Sequence, residues 1–129
     1  MRVLLDTNAY TALMAGDTRI AEILSESEIV LLSAVVIGEL YDGFRGGSRP
    51  RVNHETLNRF REKPRTVCIS ITDTTAEWFA EIKHVLRKKG RPIPIHDVWI
   101  AASCMEHGAH LLSLDAHFVF IDGLLRVEM

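Results

Sequence analysis

Four short apolar runs recur along the chain: Val3 to Leu5, Ile29 to Leu32, Val67 to Ile71 and Leu111 to Leu114. Each reads as a buried strand. The stretches between them carry helical spacing of apolar residues, caps and glycine stops. Strands that alternate with helices point to an α/β protein, a three-layer α/β/α sandwich with a mostly parallel central sheet. In such sheets, ligands bind beyond the carboxyl ends of the strands.

The helical stretches have legible ends. Ala9 to Ala15 is stopped by Gly16, and Asp17 caps a second helix to about Ser25 with Ile20, Ile23 and Leu24 inward. Ser33 is the expected N-cap of a helix through Phe44, with Leu32, Val36 and Leu40 on one stripe. Residues 48 to 64 form a basic helix with a thin apolar edge of Val52, Leu57 and Phe60. Thr74 with Glu77 fits a capping box that opens a long helix ending at Gly90, its inner face including Trp78, Ile82, Val85 and Leu86. Arg91-Pro92-Ile93-Pro94 must be extended, and a further helix runs from near His96 or Asp97 to Gly108. The tail, Phe118 to Val127, is read as a short final strand.

Four acids stand at or inside these apolar segments: Asp6, Glu39, Asp97 and Asp115. Asp6 closes the first run, and Asp115 follows the last. Asp97 comes early and Glu39 midway in helices able to lean over the same sheet edge. A carboxylate beside buried apolar surface is costly unless its charge is offset. Each acid has a local alternative. Asp6 can cap a helix, Glu39 can reach solvent from the border of its stripe, Asp97 can answer a helix dipole, and Asp115 can be a turn residue. Taken together, one shared site explains all four better than four coincidences. Acids gathered at strand ends make a cage for a hard, oxygen-loving cation such as Mg²⁺. One ion or a pair could activate water against a phosphodiester. Thr7, Asn8 and Ser113 are the polar companions expected to orient an acid or a phosphate. His96 and His117 lie beside site acids but are set outside the catalytic group, because a lone histidine near a cap is more often structural.

The totals exclude several classes. At 129 residues the chain is read as a single domain, residues 1–129, with one hydrophobic core. No apolar run is long enough to span a bilayer, and the N-terminus enters a strand without a signal-peptide pattern, so no membrane association is expected and the cytoplasm is the default location. Cys68 and Cys104 read as buried free thiols. Net charge is −2, yet Arg45, Arg49, Arg51, Arg59, Arg61, Lys63 and Arg65 form one basic cluster, and Lys83, Arg87, Lys88, Lys89 and Arg91 another. Beside an acidic centre, such clusters could hold a phosphate backbone; otherwise they are solvated helix faces. No serine hydrolase set and no Walker-type loop is present. An aspartate-nucleophile phosphatase would want a second acid where Asn8 stands, and a receiver domain would place its acceptor after a middle strand.

With these residues in place, the chain resembles the PIN-domain ribonucleases, most closely the VapC-like toxins of type II toxin–antitoxin pairs. The resemblance runs nearly end to end. It rests on Val3-Leu4-Leu5-Asp6-Thr7-Asn8, Ser33 to Leu40 with Gly38-Glu39-Leu40, His96-Asp97-Val98-Trp99-Ile100-Ala101-Ala102, and Leu112-Ser113-Leu114-Asp115-Ala116-His117-Phe118. It departs from the common pattern in Ser113-Leu114, which lacks one polar neighbour of the last aspartate, and in His96, where a small polar residue often precedes the third acid.

The resemblance implies a Mg²⁺- or Mn²⁺-dependent endoribonuclease acting on structured RNA, often transfer RNA. It implies a homodimer and a cognate antitoxin whose C-terminal segment blocks the acidic crevice, with an arginine able to pair with the same carboxylates. Asp6 and Asp97 would hold the principal ion, and Glu39 and Asp115 would complete the cage or a second ion. Attack by water in line would leave a 5′-phosphate. The alternative is a non-catalytic RNA- or partner-binding PIN-like domain that keeps the acids for folding.

Overall fold

The computed structural model describes residues 1–129. Strand β1 (Arg2–Leu5) leads into helices α1 (Thr7–Met14) and α2 (Thr18–Glu26), then β2 (Ile29–Ser33). Helices α3 (Ala34–Arg45) and α4 (Pro50–Arg61) precede β3 (Thr66–Ile69). Helices α5 (Asp73–Lys89) and α6 (Ile95–Glu106) lead to β4 (His110–Leu112), and a 3₁₀ turn covers Ala116–Phe120. Every strand pair is parallel and the sheet order is β3-β2-β1-β4.

Burial explains the layers. Val3, Leu4 and Leu5 are all inaccessible, as are Val30, Leu31 and Leu32 to within a few per cent. Successive strand residues point to opposite faces, so both faces of β1 and β2 are covered. Each such leucine contributes roughly 1.5–3 kcal/mol by leaving water. On the α5–α6 side, the rings of Phe79 and Trp99 stack with centroids 3.9 Å apart. No helix is long and apolar enough to cross a membrane.

The strand order sets the site. The chain steps outward from β1 to β2 to β3, then returns to pair β4 on the other side of β1. That reversal opens a crevice beyond the carboxyl ends of β1 and β4.

Several local expectations shift. The capping box of α5 is made by Thr72 and Thr75, not Thr74 and Glu77. The Thr75 hydroxyl also donates to Glu106 on α6, a tertiary contact that local spacing does not encode. Trp78 is 37% exposed, and its neighbour Phe79 stacks on Trp99 of α6. Cys68 is exposed, as is its neighbour Val67, because the faces of β3 are largely uncovered, whereas Cys104 is buried and its thiol is pushed up to about 12 by that burial. Val52 lies outside the core, while Leu57 and Phe60 are inside it. The tail adds a single parallel bridge, Leu111 to Arg126, in place of a strand, and Phe118 is fully buried.

Candidate active site

The site starts from the ladder between β1 and β4. Leu5 pairs with Leu112, and the Asp6 amide donates to the Leu112 carbonyl at 3.2 Å. The next position on each strand is therefore Asp6 beside Ser113. Asp6 is only 4% exposed. Its Oδ1 accepts from the Ala9 amide at 2.8 Å, capping α1, and its Oδ2 accepts from the Ser113 hydroxyl. The Ser113 oxygen in turn accepts from the Asp115 amide at 2.9 Å. One serine thus ties the acid after β1 to the acid after β4.

Asp115 caps the 3₁₀ turn, accepting from the His117 amide at 3.0 Å. Asp97 lies in the first turn of α6. The His117 Nδ1 stands 3.1 Å from Asp97 Oδ2 and 3.1 Å from Asp115 Oδ1. Glu39 reaches in from α3: its Oε1 accepts from the Thr7 hydroxyl at 2.6 Å, and its Oε2 lies 3.4 Å from His96 Nδ1. Ser33, at the end of β2, caps α3 through Val36 and so sets where Glu39 falls.

Electrostatics follow from this packing. Burial raises the Asp6 carboxyl above its ordinary range; hydrogen bonds from Ser113 and Ala9 oppose the rise, and the Asp97 and Asp115 charges add to it. Asp97 is raised too, first by burial. The hydrogen bond from His117 lowers it, and Asp115 and Glu39 push it up. Three of the acids sit at helix starts: Asp6 and Asp115 as caps and Asp97 in a first turn. The positive end of each helix offsets part of their mutual repulsion.

All four sequence-predicted acids lie in this neighbourhood, with Thr7 and Ser113 hydrogen-bonded to them. Asn8 is exposed and joins none of these contacts. The tightest grouping of donor atoms is Asp97, Asp115 and His117, with one atom from each within 4.8 Å of the others. Two carboxylate oxygens and a ring nitrogen converging in this way form a donor set that fits a divalent cation. His117 was outside the sequence-derived catalytic group; its spacing two residues past Asp115 was the available signal. Of the basic residues, Arg61 is engaged with the Tyr41 hydroxyl at 3.0 Å, Arg65 with the Ser27 carbonyl, and Lys89 with Asp122 at 2.7 Å. Arg45, Arg49, Arg51 and Arg59 remain exposed.

The PIN domain pattern matches residues 3–124. Ribonuclease VapC5 of Mycobacterium tuberculosis is 24% identical over 125 residues, spanning 97% of this chain and 91% of the relative. Ribonuclease VapC4 of the same organism is 31% identical over 84 residues, 65% of each chain. Among solved structures, VapBC-1 from nontypeable Haemophilus influenzae superposes with a TM-score of 0.87 at 25% identity, covering 99% of this chain and 98% of the other. A parallel sheet of this order, the acidic crevice at its reversal point and matches along nearly the whole length agree: the chain belongs to the PIN-domain family and stands with its VapC-like members.

Proposed function

We propose that this chain is a divalent-metal-dependent endoribonuclease, the toxin of a toxin–antitoxin pair, restrained by a cognate antitoxin. The observation that carries the reading is the convergence of Asp6, Glu39, Asp97 and Asp115 on one crevice, with two of the carboxyls raised by burial and mutual repulsion. Acids held this way are poised for a cation. The names of the relatives, ribonucleases VapC5 and VapC4, favour RNA as the substrate. The VapBC complexes among structural relatives favour an antitoxin partner. A homodimer and a transfer-RNA substrate are further parts of the proposal, carried by the family resemblance.

Within the site, the proposed division of labour follows the contacts. Asp97 and Asp115 present oxygens to the ion, which is Mg²⁺ or Mn²⁺ in this reading. Asp6, buried and hydrogen-bonded to Ser113, would add negative charge, and Glu39 would bound the crevice on the α3 side. Ser113 and Thr7 orient the acids. When bound, the ion supplies Lewis acidity, generating a nucleophile from water and offsetting charge on the leaving oxygen. The exposed arginines of residues 45–59 lie on helices α3 and α4 or at the start of α4 and are proposed to hold the RNA backbone.

The test is cleavage of a structured RNA by purified protein, with chelator, Mg²⁺ or Mn²⁺, for wild type, Asp6→Asn and Asp97→Asn. The expected result is metal-dependent cleavage by wild type alone, with all three proteins equally folded by circular dichroism. Cleavage by Asp97→Asn at the wild-type rate, or cleavage undiminished by chelator, sinks the reading.

A further inference from the structure

His117 sits where a ligand should. Donor atoms on adjacent corners of an octahedron, each about 2.0–2.1 Å from a small divalent ion, lie about 3 Å from one another. The His117 Nδ1 is 3.1 Å from an oxygen of Asp97 and 3.1 Å from an oxygen of Asp115. Its backbone helps hold it there, because the His117 amide donates to the same Asp115 oxygen at 3.0 Å. The two acids come from different elements, α6 and the turn after β4, and the ring bridges them. The other nearby histidine differs. His96 faces Glu39 alone, at 3.4 Å, and its side chain is 63% exposed.

We infer that His117 is a direct nitrogen ligand, making Asp97, Asp115 and His117 a mixed oxygen–nitrogen set that selects transition-metal ions over Mg²⁺. The inference rests on the proposed function, namely that these acids hold a divalent ion. Its chemical basis is ligand preference: carboxylate and water suit Mg²⁺, whereas imidazole favours later first-row ions. A site of carboxylates alone would discriminate less. The competing role for His117 is a protonated counter-ion that neutralises Asp97 and Asp115 itself. These roles predict opposite consequences of removal. A ligand's loss weakens transition-metal binding; a counter-ion's loss frees the acids and strengthens it.

The experiment uses the full chain loaded with Mn²⁺ and read by pulsed electron paramagnetic resonance, with Co²⁺ and Mg²⁺ affinities from calorimetry. His117→Gln and His96→Gln are compared with wild type. The His117 side chain is 46% exposed, so its replacement leaves the core intact. Expected are a directly bound nitrogen signal in wild type and His96→Gln, its loss in His117→Gln, and about tenfold weaker Co²⁺ binding in that variant with little change for Mg²⁺. Metal binding without a nitrogen signal, or tighter Co²⁺ binding in His117→Gln, overturns the inference and leaves the proposed function standing. No binding of any of the three ions by the wild type overturns both.

Discussion

Replacing Ser113 by alanine removes one hydroxyl that serves two partners. It donates to the buried Asp6 carboxylate and accepts from the Asp115 amide. A hydrogen bond to a charged group is worth about 1.5–3 kcal/mol, and a neutral one roughly 0.5–1.5 kcal/mol. Asp6 keeps its bond from Ala9. The summed loss for Ser113→Ala is therefore about 3 kcal/mol at neutral pH without metal. For a chain this size, that corresponds to a fall in Tm of about 10 °C. The control is the same change in an Asp6→Asn background, where both bonds are neutral and the expected loss drops to about 2 kcal/mol. Urea unfolding of wild type, both single variants and the double variant closes the cycle. A Ser113→Ala loss below about 0.5 kcal/mol, or equal losses in both backgrounds, would refute the claim that this serine carries the Asp6 charge.

Two more outcomes follow from the same geometry. In chelator, the folded chain keeps protons on Asp6 and Asp97 that the unfolded chain has already lost, because both carboxyls are raised from 3.8. Their contribution to stability is thus present below about pH 3.8 and lost as pH climbs through the raised values; Asp97→Asn should gain on wild type across that window in urea midpoints, and a constant difference would count against it. Thr7→Val should cost about 1 kcal/mol by thermal or urea unfolding, since Glu39 loses a 2.6 Å bond in a partly exposed setting; Asn8→Ala, on the neighbouring exposed residue, should cost nothing measurable, and the reverse ranking would contradict the contacts.

The fold class was legible because its signals are local. Short apolar runs at Val3 to Leu5 and Ile29 to Leu32 mark strands covered on both faces, and Asp17 and Ser33 announce the starts of α2 and α3. Burial and capping act within a few residues, so the amino-acid order alone dictates them. The positions of the four acids relative to segment ends were readable for the same reason.

Other features belong to the assembled chain. Cys68 is exposed because the faces of β3 are largely uncovered, and which strand faces the helices cover is a property of the whole assembly. The Thr75–Glu106 contact couples the start of α5 to α6 across distant sequence. The Asp6–Ser113 bond spans 107 positions and exists because β4 pairs with β1. The ring of His117 reaches Asp97 only because α6 and the last turn meet over that sheet edge. Local order specifies which residues carry charge and where the backbone bends; the meeting of those charges is a long-range event, governed by how the sheet and its helices bury their apolar faces against one another.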